Sequence, residues 1–290
     1  MKVVRSHLNM EGVAMSNEIT TEGEAYRAYF NAGISEMMSR MWGGNLHIGL
    51  FEHETESLEM AQSRLKARLG KALGLPAGAH VIEAGCGVGT TALFLARCCG
   101  LRVHATNISE EQLEEARRRA REEGLENSVT FEAADYHHLP AEDASFDGWL
   151  CQEALLYARD RPRVFDEALR VVRPGGRLVF TDLTLSRSMP ATAREELTRV
   201  IRAPYLWSRE EYSGFVSDLG LAVVDHVESL GNAELTFRAV LQNLASLEGE
   251  FVTRAGRDAY DEARARISSQ YEAARQGSLG WCLYCLQVPG

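Results

Sequence analysis

Gly85, Gly87 and Gly89 occupy alternate positions in "VIEAGCGVGTT", directly after an apolar run and just beyond Glu83. A glycine turn between a strand and a helix lets a ligand approach the backbone closely, because no Cβ intervenes. Dinucleotide-binding turns use G-x-G-x-x-G and rest a pyrophosphate on the helix N-terminus. Here the spacing is G-x-G-x-G, Thr90 follows, and a carboxylate stands at the strand end. A carboxylate is poorly placed beside a pyrophosphate. It suits a ligand bearing an ammonium, such as the methionine part of S-adenosylmethionine, which Glu83 would organise through the loop or a water.

Other residues able to do chemistry sit after apolar runs of the same kind: Asn107, Asp135 and Glu153. The runs "HVIEA", "RVHAT", "VTFEAAD", "GWLCQEAL" and "RLVFTDLT" read as strands, and amphipathic helices separate them. One helix opens on a Ser109-x-x-Gln112 capping box and closes on Gly124; another, "RPRVFDEALRVV", precedes an "RPGG" turn. Alternating strands and helices predict a parallel sheet with right-handed crossovers, covered on both faces. Ligands of such sheets lie beyond the carboxyl ends of the strands, so these candidates could share one crevice.

Ahead of this core, residues 1–24 show no period and are expected to be flexible. Residues 25–75 form a helical cap: short helices, a Gly-Gly break, then a stripe through Leu58, Ala61, Leu65 and Leu69 that ends at Gly74 and Pro76. After a core at 79–182, residues 183–290 hold helices flanking "APYLWSREEY", with a Ser208-x-x-Glu211 box, the strand "LAVVDHVES", about fifty helical residues and the closing "SLGWCLYCLQV". We read 25–290 as one domain.

The formal charge of −10 argues against a nucleic-acid partner, which needs a basic face. No apolar stretch approaches the roughly 18 residues of a membrane span, and no signal peptide is evident, so a cytoplasmic location is expected. Six cysteines fit reduced thiols. Cys282 and Cys285 have C-x-x-C spacing, but their apolar surroundings read as a buried strand rather than a zinc or redox pair. His137 and His138 are adjacent, with no third ligand at metal spacing, and read as loop residues. No metal site is expected, and homo-oligomerisation is left open.

"VIEAGCGVGTT", "NISEEQLEEAR", "AADYHHLPAEDASFD" and "RVVRPGG", in this order, resemble the successive motifs of class I S-adenosylmethionine-dependent methyltransferases over about residues 79–182. "MWGGNLHIGLFE", "CQEALLYARDRPRVFDEALRVVRPGGRLVFTD" and "GSLGWCLYCL" are similar to segments of the sarcosine/dimethylglycine N-methyltransferase group. "TRVIRAPYLWSREEY" departs from that group in a segment that usually helps form the substrate cavity. The resemblance implies an α/β, Rossmann-like sheet, mostly parallel with its last strand antiparallel, and helical additions at both ends.

It also implies S-adenosyl-L-methionine as cofactor, held by Glu83, Gly85, Gly87, Gly89, Asn107, Gln112, Asp135, Tyr136 and Gln152. Asn107 would accept from the ribose, where most of the superfamily carries an acid, and Asp135 from the adenine amino group. Glu153 and Tyr157 are the catalytic candidates. A carboxylate at Glu153 could steady an amine, take its proton or face a carbocation, or it could simply pair with Arg159 or Arg161. Tyr29, Trp42, Tyr205 and Trp207 are candidate acceptor contacts, as faces for a cation or as packing. The expected activity is methyl transfer to a small-molecule acceptor, first an amine as in sarcosine/dimethylglycine N-methylation. The alternative is C- or O-methylation of a specialised metabolite, including alkene or prenyl C-methylation using Glu153. A non-catalytic cofactor-binding protein is the remote alternative.

Overall fold

The computed structural model describes residues 35–203 and 206–290; the N-terminal residues 1–24, Tyr29 and Tyr205 lie outside the described residues. In chain order the elements are α1 (Ser35–Met41), α2 (Leu58–Leu73), β1 (His80–Ala84), α3 (Thr90–Cys99), β2 (Arg102–Asn107), α4 (Glu110–Glu122), β3 (Val129–Ala133), β4 (Phe146–Gln152), α5 (Arg161–Val171), β5 (Val172–Leu185), α6 (Ala191–Ile201), α7 (Arg209–Leu219), β6 (Ala222–Ser229), α8 (Gly231–Ser246), α9 (Glu248–Ala255), α10 (Arg257–Arg275) and β7 (Leu279–Gln287). One sheet takes the order β3-β2-β1-β4-β5-β7-β6. Its first five strands pair in parallel, while β7 runs antiparallel to both β5 and β6. The order reverses at β1, which pairs with β2 on one side and β4 on the other. Open α/β sheets bind ligands at such a reversal.

Alternation along the central strands feeds two cores. Trp149, Cys151, Phe180 and Tyr284 point to one face, packed on Phe165 and Tyr212; Leu150, Val179, Leu183 and Trp281 point to the other, beneath α2, α3 and α8. Cys282 belongs to the first core and Cys285 to the second, because residues three apart on a strand face opposite ways. The C-x-x-C pair is therefore packing, and no group of metal ligands occurs among the described residues. No helix among them is long and apolar enough to cross a membrane.

Local signals set the boundaries. Ser57 accepts from the Met60 N–H to start α2, and Gly74, at φ 60°, stops it in the left-handed region. Ser208 and Glu211 form the reciprocal box expected for α7. Ser109 accepts from the Gln112 N–H, but Gln112 does not complete its box: its side-chain carbonyl takes the Asn107 amide instead, at 2.7 Å. The "RPGG" run is not a turn ahead of the strand. β5 begins at Val172 and carries it as an excursion, across which the register jumps from Phe146↔Val172 to Gly148↔Arg177.

A buried polar cluster anchors α5 and α7 to β5. Asp182 is wholly buried and accepts from the Tyr212 hydroxyl and from the Leu183 N–H at 3.0 Å. The Arg161 guanidinium lies 3.8 Å from it and 4.4 Å above the Trp207 ring. Burial pushes the Asp182 carboxyl up to about 7 against the opposite pull of Arg161 and Tyr212. Removing one donor from a buried acceptor typically costs about 1–3 kcal/mol. Tyr212→Phe, which keeps the ring and drops the hydroxyl, should lower urea-unfolding stability by that amount and leave the secondary structure intact.

Candidate active site

A cavity of about 1030 Å³ opens over the carboxyl ends of β1 and β4. Its wall includes Gly85, Cys86 and Gly87 of the glycine turn, Gln112 of α4, and Gln152, Glu153 and Tyr157 after β4. Residues Gly44–His47, ahead of α2, close another side.

The three glycines have three different reasons. At Gly85, φ 76°, an added Cβ would lie 2.6 Å from the Ala154 Cβ, so two loops meet without room for a side chain. Gly87, φ 54°, has nothing within 4 Å of its Cβ position, and its backbone faces the open cavity. Gly89 is buried and off the wall; a Cβ there would stand 2.7 Å from the Phe131 ring and 3.0 Å from the Ala116 Cβ. Gly85 and Gly87 thus leave room for close approach of a ligand, whereas Gly89 lets α3 seat against β3 and α4.

Glu83 is 1% exposed, and one of its oxygens accepts from the Ala92 N–H in the first turn of α3. Its Oε2 has no partner, and burial pushes the carboxyl up to about 8. Glu83 is off the wall, beneath the bare turn, so it suits a ligand's ammonium through the loop or a water rather than by direct contact. The wall adds amide chemistry: Gln112 on one side, backed by Asn107, and Gln152 on the other, whose carbonyl accepts from Thr91 at 2.7 Å. Asn107 stands behind the wall, 6% exposed. These groups could hold S-adenosylmethionine: the bare turn, with Glu83 beneath it, for its amino-acid end, and Gln112, backed by Asn107, for hydroxyls.

Several candidates lie elsewhere. Asp135 is exposed and off the wall, and caps its own turn: its Oδ1 accepts from the His137 N–H at 2.9 Å and Nδ1 at 2.6 Å. Tyr136 packs beside Gly85 and donates to the Ala154 carbonyl at 3.3 Å. Trp42 sits in the core, edge-on to Phe237 at 5.9 Å, and Trp207 is spent on Arg161, Tyr212 and Phe215. Neither tryptophan reaches the cavity. Glu153 pairs with neither arginine proposed for it. Its Oε2 accepts from the Ile48 N–H at 2.9 Å and faces His47 Nδ1 at 3.1 Å, while Oε1 accepts from Trp281 Nε1 at 2.8 Å and the Thr181 hydroxyl at 3.2 Å. His47 is a wall residue that the sequence reading passed over, although "GGNLHIG" shows a histidine in a glycine-flanked loop ahead of the core.

A methyltransferase-domain family model matches residues 82–180. The chain is 37% identical to the 27-O-demethylrifamycin SV methyltransferase of Amycolatopsis mediterranei over 209 residues, covering 71% of this chain and 74% of that one. It is 29% identical to the dimethylglycine N-methyltransferase of Parasynechococcus marenigrum over 277 residues, 95% and 99% of the two chains. The structure of the cyclopropane synthase MmaA2 from Mycobacterium tuberculosis shares the fold, with a TM-score of 0.83 at 16% identity over 93% of this chain and 100% of that one.

Two measurements probe the cradle. Gly87→Val should abolish S-adenosylhomocysteine binding in calorimetry while the protein still melts cooperatively, whereas Gly89→Val should lower stability by about 1–3 kcal/mol through overpacking. The second is linkage at Glu83. A carboxyl near 8 in the fold, against an ordinary 4.5, stabilises the fold fully below the lower value, and that stability is lost as pH rises through the higher. The melting temperature of the ligand-free protein should fall between pH 5 and 9, and Glu83→Gln should make that fall shallower.

Proposed function

The chain belongs to the class I S-adenosylmethionine-dependent methyltransferases, and within that family we propose that it methylates a hydroxyl of a small-molecule acceptor larger than an amino acid. The observation that carries this is the make-up of the cavity wall. Tyr157 is the only Tyr, Trp or Phe on it among the described residues, and Trp42 and Trp207, candidates for a cation face or for packing, are packed away. A quaternary ammonium product calls for aromatic faces or an available carboxylate beside the transferred methyl; the other wall carboxylates, Glu111, Glu114 and Glu115, stand on α4 rather than at the end of β4. Glu153 already receives four protein contacts on its two oxygens. The same saturation weakens the case for alkene methylation, in which Glu153 would face a bare carbocation. A neutral hydroxyl needs only placement and somewhere for its proton to go. The relative named for 27-O-demethylrifamycin SV adds support for a bulky acceptor, as does the cavity's size.

Bound S-adenosylmethionine supplies an electrophilic methyl on a sulfonium. The chain's share is placement and exclusion of water. Gly85 and Gly87 give close backbone approach, Asn107 and Gln112 offer polar partners, and Gln152 is locked by Thr91 beside Glu153. N-methylation remains the second reading, favoured by the match to a dimethylglycine N-methyltransferase along nearly its whole length.

Methyl-labelled cofactor incubated with phenols, polyketide alcohols, sarcosine and dimethylglycine distinguishes the two. We expect label in a methyl ether. Label confined to dimethylglycine and betaine would establish the amine reading instead.

A further inference from the structure

Resting on the hydroxyl-methylation reading, we propose that His47 is the catalytic base and that Glu153 is the residue that positions it. Two of the four groups around Glu153, the Ile48 backbone N–H at 2.9 Å and the Trp281 indole N–H at 2.8 Å, can only donate. The carboxylate is thus fixed as an acceptor on both oxygens. With Thr181 on Oε1 and His47 on Oε2, the four lone-pair sites of the carboxylate are taken. Nothing remains on Glu153 to accept an acceptor's proton without breaking one of these bonds.

His47 is differently placed. Facing a carboxylate oxygen at 3.1 Å, Nδ1 carries the ring proton, which leaves the lone pair on Nε2. Nε2 has no partner among the described residues, and the side chain, 18% exposed, stands on the cavity wall. Its backbone is held from both sides: the His47 N–H donates to Asn45 Oδ1 at 3.2 Å, and Gln62 Nε2 donates to the His47 carbonyl at 2.8 Å. Glu153 is held as firmly. Its N–H donates to the Thr181 carbonyl at 2.8 Å, and its backbone sits at φ 48°, a left-handed conformation costly for a non-glycine residue. Such strain persists only where surrounding bonds over-determine it, and here it aims the carboxylate at the histidine. Gln152, the preceding residue, also lines the cavity, so the dyad adjoins the cofactor cradle.

The step balances. The acceptor oxygen forms its bond to the methyl carbon as its proton passes to His47 Nε2. The bond from that carbon to sulfur breaks with its electron pair left on sulfur, giving a neutral thioether. The positive charge moves to the imidazolium, which Glu153 faces, and the proton then leaves to solvent.

The test has two arms. In 15N-histidine-labelled protein, with His47→Gln used for assignment, His47 should show a protonated Nδ1 and a bare Nε2 when neutral; the opposite tautomer would overturn the proposal. On a hydroxyl acceptor from the panel, His47→Gln should lower kcat a hundredfold or more, with acceptor KM and S-adenosylhomocysteine affinity within about twofold. Imidazole should restore part of the activity of His47→Ala. Glu153→Gln sets an amide NH2 against either the Ile48 or the Trp281 N–H, whichever way it turns, and should share the kcat loss while scrambling the His47 tautomer. Turnover of a hydroxyl acceptor unaffected in His47→Gln overturns the base but keeps hydroxyl methylation. Turnover of tertiary amines alone overturns both.

Discussion

The carboxylate of Glu153 holds this cavity together. Four donors converge on it from three separate regions of the chain: His47 and Ile48 ahead of α2, Thr181 in β5, and Trp281 in β7. Each alone is an ordinary bond, with a net value of about 1.5–3 kcal/mol for a charged acceptor. Together they add direction to the packing of the loop at 44–50, whose Ile48 is buried in the core with Leu46 and Leu50 against it. Gln62 reinforces it from α2, donating to the carbonyls of Trp42, Asn45 and His47 at 3.0, 3.2 and 2.8 Å. A loop without regular structure thus becomes one fixed wall of the cavity.

Glu83 shows the opposite economy of charge. It lies deeper than Glu153 but has a single backbone donor and an oxygen without a partner, and burial pushes its proton affinity up. The two carboxylates differ in the number of donors each receives. The saturated one orders protein around itself, and the unsaturated one keeps capacity for a ligand. This is how environment, rather than residue type, separates roles.

What the sequence made legible was whatever depends on neighbours along the chain. The glycine turn, the strand–helix alternation, the α7 capping box and the buried reading of "WCLYC" all rest on short spacings, and all appear in the fold. What it hid depends on partners far apart. Gln112 looks like half of a capping box until Asn107 takes its carbonyl. Trp207 looks like a cation cage until Arg161, 46 positions earlier, supplies the cation from within the protein. His47 carries only the faint local signal of a glycine-flanked histidine, because its meaning comes from a carboxylate 106 residues away. The histidines that did stand out, His137 and His138, belong to a turn organised by Asp135 and Arg163.

The place of β7 in the sheet has a consequence for the order in which this molecule assembles. It lies between β5 and β6, both of which precede it in sequence, and it brings Trp281 to Glu153. A nascent chain that has already produced the glycine turn, both carboxylates and His47 still has β5 as an open edge and no seat for β6. Pairing it requires a return across the roughly one hundred residues that separate β5 from β7, the kind of long-range closure that slows folding and leaves edges exposed meanwhile. The glycine turn, Gln112 and Gln152 all precede β7 in the chain, whereas the Trp281 bond to Glu153 must wait for that strand. Ribosome-bound intermediates would accordingly assemble the glycine-turn wall before the full set of bonds to Glu153.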